Sequence, residues 1–117
     1  MTGMEMPPLP LMVLDGLADD IESVESLRDH GEVARYGLAL VAEHEVVDAL
    51  RSLLNDGLIE AWQLSGPQLE LVPCPAPSTD DASLRRYWFR WTPGGERVWR
   101  EAHGVLDAYW DAHPPGA

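Results

Sequence analysis

The chain has 117 residues, 45% of them hydrophobic, the size and composition of one compact domain able to bury roughly two-thirds of its unfolded surface. Its charge is lopsided: all eight basic residues are arginine, against twenty Asp and Glu, for a net of −12. A field of that sign opposes the phosphate neutralisation on which nucleic-acid affinity rests, unless a local basic face overrides it.

The imbalance is concentrated in residues 1–60, with thirteen acids and three arginines, while residues 61–117 hold seven acids and five arginines. No apolar run approaches the ~18 residues of a membrane span. The opening "MTGMEMPPLPLMVLDG" lacks a basic n-region and carries Glu5, so a secretory signal is not expected and the cytoplasm is the default location. Cys74 is the single cysteine, which rules out an internal disulfide and leaves no thiol cluster for zinc. Residues 1–8 and "HPPGA" at 113–117 read as loose ends around one domain at 9–112.

In chain order, Val13, Leu14, Leu17, Ala18 and Ile21 recur at helical spacing and predict a first helix over about 9–19. Ser23 is an N-cap for a second helix, with Val24, Leu27 and Ala34 inward and Gly37 as its stop. Val46, Val47, Leu50, Leu53 and Leu54 form the apolar stripe of a third helix that Gly57 terminates. "LIEAWQL" at 58–64 and the aromatic-rich "LRRYWFRW" at 84–91 read as two paired strands. Between them, residues 65–83 with four prolines form a long hairpin loop, with room for a short extra strand at "QLELV". Thr92 can cap a last helix beginning at Pro93, with Val98, Ala102, Val105 and Tyr109 sealing the core. The expected class is mainly α with a β-hairpin (α+β), in the order α-α-α-β-β-α.

That order, with "VVDALRSLLNDGLIEA" at 46–61 and "YWFRWTPGGERVW" at 87–99, resembles the winged-helix domains of bacterial transcription regulators. Leu50, Leu53, Gly57, Leu58 and Ile59 carry the end of that superfamily's recognition helix, and Thr92, Pro93 and Gly95 carry the helix start that follows the wing. The resemblance places the groove-reading face on His44, Glu45, Asp48, Arg51, Ser52 and Asn55 of the third helix. Here the chain departs from the pattern. Readers of the major groove present Arg, Lys, Asn, Gln, Ser or Thr near the helix N-terminus, whereas this turn offers carboxylates. Acids in a first turn complement the helix dipole, and Asp48 is spaced to pair with Arg51.

Arg85, Arg86 and Arg90 lie among Tyr87, Trp88, Phe89 and Trp91, a segment able to contact phosphate or a partner, or else to pair with the surplus acids and pack on tryptophan. Trp99, Leu106 and Trp110 fall on a flank of the last helix; either they form a dimer face, or Trp62 and Trp88 cover them within one subunit. His30, His44, His103 and His113 are scattered, so no metal, cofactor or catalytic constellation is expected and the chain reads as non-enzymatic. Two functions remain open. One is a regulatory or protein-interaction module, a homodimer or the partner of another protein, with DNA disfavoured by charge and no membrane. The other is a DNA-binding transcription regulator that contacts phosphates through wing arginines.

Overall fold

The computed structural model describes residues 8–18, 21–29 and 41–112, with every side chain among them except those of Asp29 and Trp110. The expectations for His30, Ala34, Gly37, His113, residues 1–7, the tail at 113–117 and the Trp110 side chain lie outside it.

Helix α1 spans Leu9–Gly16, shorter than the expected 9–19, and buries Met12, Val13 and Leu14. A two-residue strand β1, Glu22–Ser23, leads into α2, Val24–Asp29. The expected Ser23 cap is present and reciprocal: the Ser26 amide donates to Ser23 Oγ at 3.1 Å, and the Ser23 amide donates to Ser26 Oγ at 2.7 Å. This is a capping box with serine in the place usually taken by Glu or Gln.

Helix α3, Glu43–Asn55, buries Val46, Val47, Ala49, Leu50 and Leu53. It stops as its sequence requires. Gly57 sits at φ +73°, the Leu58 amide donates to the Leu53 carbonyl at 3.0 Å, and the Gly57 amide donates to the Leu54 carbonyl at 3.1 Å. These two bonds make a Schellman motif, and the left-handed residue at its centre favours glycine.

Strand β2, Ile59–Ser65, follows, then β3, Glu70–Cys74, which is the extra strand that the hairpin loop had room for. The turn between them has Gly66 at φ +76° and Leu69 at φ +52°. The second strand is shorter than the expected 84–91. Residues Asp81–Leu84 instead form a short helix α4, and only Trp88–Trp91 is strand, β4. The reason is a local cap: Asp80 accepts from the Ser83 amide at 3.0 Å and from the Ser83 hydroxyl at 2.8 Å. The turn so formed buries Leu84 in the core. Helix α5, Pro93–Ala112, closes the chain.

The class is therefore α+β, with a four-stranded antiparallel sheet in the order β1-β4-β2-β3 where two strands were expected. The core lies between the helices and one face of that sheet, with Phe89, Leu14, Leu17, Leu27, Leu50 and Leu84 fully enclosed. At the base of the sheet, the Thr92 amide donates to the Leu58 carbonyl at 3.1 Å and the Thr92 hydroxyl donates to the Gly57 carbonyl at 2.7 Å. The Gly95 amide then donates to Thr92 Oγ1 at 3.1 Å, so the end of α3 and the start of α5 are clasped together.

Helix α5 corrects one expectation. Leu106, assigned to an outward dimer face, is 1% exposed, while Val105, assigned to the core, is 61% exposed. Adjacent helix positions differ by ~100°, and the inward stripe runs through Gly95, Val98, Trp99, Ala102, Leu106 and Tyr109, keeping the expected Val98, Ala102 and Tyr109 but with Leu106 in place of Val105. Trp99 is half-buried on that stripe, 5.0 Å from Trp91 between ring centroids, with its Nε1 donating to the Asp15 carboxylate. Trp62 and Trp88 do not cover it, because they pair with each other on the opposite face of the sheet.

Candidate interaction surfaces

The outer face of α3 is where the resemblance puts a reading surface. His44, Glu45, Asp48, Ser52 and Asn55 are exposed there, and Arg51 is half-buried. Ala42 at the N-cap supplies no side-chain acceptor, so Glu43 and Glu45 are the first-turn groups that complement the helix dipole.

Arg51 is the only arginine or lysine on this face, and each of its three nitrogens donates a hydrogen bond. Its Nε donates to the Thr79 carbonyl at 2.8 Å, and its terminal nitrogens donate to the carboxylates of Asp48 and Asp81. The hydrogen bond to Asp81, then that to Asp48, raises the guanidinium pKa above its ordinary value. Arg51 thus fastens the segment leading into α4 to the flank of α3. Asp80 next to it is held below the usual carboxylate range, chiefly by the Ser83 hydroxyl and then the Ser83 amide.

The arginines of the aromatic segment are partly consumed in the same way. Arg85 donates to Glu43 at 3.1 Å, joining the end of α4 to the first turn of α3. Arg90 donates to Glu60 at 2.7 Å from the directly opposite position on β2, with its guanidinium carbon 4.9 Å from the Trp62 ring centroid. Arg86 donates to the Ala82 carbonyl at 3.3 Å, and neither Arg86 nor Arg97 forms an ion pair among the described residues. The hairpin itself, residues 59–79, contains no arginine or lysine. The three arginines expected to contact phosphate or a partner therefore stand at the end of α4 and on β4, away from the hairpin tip.

One surface escaped the sequence reading. Ile59 and Ala61 point into the core, so Glu60, Trp62 and Leu64 point outward, and the register sets Trp62 between Trp88 and Pro73 and Leu64 opposite Leu71. Leu64 is 48% exposed and Leu69, at the tip, 65%. The clue was present in the alternation: Gln63 falls on the inward side of the strand, where it marks the point at which the hairpin leaves the core.

Cys74 is half-buried in an open cleft of about 450 Å³ beside Asn55 and Glu60. Among the described residues no group of three or more His, Cys, Asp or Glu could hold a metal ion. Among them, too, no helix is long and apolar enough to cross a membrane. Comparison with known protein families, curated proteins and solved structures finds no match to this chain.

Proposed function

We propose that the chain is a winged-helix domain that acts as a non-enzymatic regulatory or protein-interaction module and does not read DNA through α3. The clasp between Gly57–Leu58 and Thr92–Gly95 supports the fold assignment, because it joins the two sequence motifs that carry the resemblance. The observation that carries the functional reading is the state of Arg51. The single arginine on the reading face is occupied by Asp48, Asp81 and Thr79, and Glu45, which has no ion-pair partner among the described residues, lies where phosphates would approach.

The competing reading, a transcription regulator, draws its support from Arg86 and Arg97, which have no ion-pair partner among the described residues. A charge-reversal variant separates the two. Both Glu45 and Asp48 are exposed, so Glu45→Lys combined with Asp48→Lys should keep the far-ultraviolet circular dichroism of the wild type and bind arbitrary duplex DNA at least about tenfold more tightly. Equal affinities for variant and wild type would show that the acids of α3 do not govern DNA binding.

A further inference from the structure

In a sheet packed on one side by helices, the outward positions are ordinarily polar. This sheet breaks that rule along one continuous band, from Trp88 and Trp62 across to Pro73, then Leu64 beside Leu71, and on to Leu69 at the tip. Trp62 lies at the centre of this band, its Nε1 buried and without an acceptor among the described residues. We propose that two copies of the chain dock through this face, a conclusion that rests on the protein-interaction reading above and names its surface.

Charge selects the occupant. With a net of −12 per copy, contact through the acidic surfaces would oppose like charges: α3 presents Glu45, and the far half of α5 presents Glu101, Asp107 and Asp111, none of them in an ion pair among the described residues. The outer sheet face is balanced. Among the described residues its charged side chains are Glu60 and Arg90, already paired with each other, so a second copy can be brought against it without juxtaposing unpaired carboxylates. A two-fold contact closes on itself and does not polymerise.

The geometry favours face-to-face packing over pairing through the free edge. Strand β3 is the outermost strand at its end of the sheet, and Pro73 next to its last residue lacks an N–H, with Pro75 just beyond Cys74. Proline on an edge strand blocks the addition of another strand. The apolar band is small by the standard of permanent dimers, so the association is weak and concentration-dependent, with a dissociation constant of about 10⁻⁵ M.

Light scattering coupled to size-exclusion chromatography tests this on the full chain, from about 5 to 500 µM and at about 20 and 300 mM salt. The expected result is a mass rising from the 13.0 kDa of one chain to twice that value. Dimerisation should strengthen at the higher salt, where repulsion between the acidic surfaces is screened. Leu64→Asp with Leu71→Asp should raise the dissociation constant at least about tenfold while leaving circular dichroism unchanged. Should that pair unfold the hairpin, Leu64→Ser alone is expected to weaken the dimer in the same direction. A chain that stays at 13.0 kDa throughout overturns the proposal, as does a dimer indifferent to Leu64 and Leu71 or one abolished instead by Val105→Asp on α5. None of these results alters the DNA measurements, so failure of this proposal and failure of the reading beneath it are separable.

Discussion

Replacing Gly95 by alanine should damage the fold more than any other single methyl group placed on α5. A Cβ at this position would lie 1.9 Å from the Leu58 carbonyl oxygen and 2.9 Å from its carbonyl carbon. Both are backbone atoms and cannot rotate away. Restoring ordinary contact at about 3.5 Å requires the end of α3 and the start of α5 to separate by roughly 1.5 Å. That movement breaks the Thr92 amide bond to Leu58 and the Thr92 hydroxyl bond to Gly57, at about 1 kcal/mol each. Strain adds about 1–3 kcal/mol, and the better helix propensity of alanine returns at most about 1 kcal/mol. The net loss is about 2–4 kcal/mol, which for a domain of this length lowers Tm by about 10 °C. Two glycines of the same helix provide the controls. A Cβ at Gly104 meets nothing within 4 Å, and one at Gly94 meets its nearest atom at 3.6 Å. Gly104→Ala should raise Tm by a few degrees, about 0.5–1 kcal/mol of stability, and Gly94→Ala should leave it nearly unchanged. Thermal melts followed by circular dichroism decide the matter. A Gly95→Ala variant as stable as Gly104→Ala would refute the clasp as the join between the two halves of the fold.

Two further outcomes follow from the packing and from one titrating group. Leu106→Ala should cost about 2–5 kcal/mol and Val105→Ala less than about 0.5 kcal/mol in denaturant unfolding, and the reverse order would restore the helix orientation expected from sequence. Asp80 titrates below the ordinary aspartate value of about 3.9 because the charged form accepts the Ser83 hydrogen bonds, so its contribution is fully present above that value and is lost as pH falls through the lower folded value. The stability difference between wild type and Asp80→Ala should therefore be flat above about pH 4 and shrink on acidification. A difference that grows as pH falls would show that Asp80 does not cap α4 in its charged form.

What could be read from sequence was local. Helix α3 was legible because the stripe from Val46 to Leu54 and the stop at Gly57 are written within a few turns of one another. Strand β1 was not, since Glu22 and Ser23 become a strand only by pairing with Phe89 and Trp88, far along the chain. Helix α4 was missed although its signal is local, because the Asp80 to Ser83 cap stands inside a loop rich in proline and lacks the long apolar run that usually follows. On α5, Val105 and Leu106 are adjacent hydrophobic residues, and periodicity alone cannot say which one the tertiary packing turns inward. The acidic character of the α3 face was apparent from Glu45 and Asp48. The engagement of Arg51 was only half apparent, because Asp48 is three residues away while Asp81 and Thr79 reach it through the folded hairpin segment. For Arg85, Arg86 and Arg90, the alternative of pairing with surplus acids holds at Arg85 and Arg90.

The most direct test of the reading is the affinity of the wild-type chain for DNA. Fluorescence anisotropy with a labelled duplex of arbitrary sequence, at about 50 and 200 mM salt, measures both the strength of binding and its dependence on phosphate contacts. An α3 whose only arginine is tied to Asp48 and Asp81 predicts no saturation below about 10⁻⁴ M protein near physiological salt and only a shallow response to salt. Micromolar binding that weakens about a thousandfold or more between the two salt concentrations would contradict it and make the chain a DNA-binding protein.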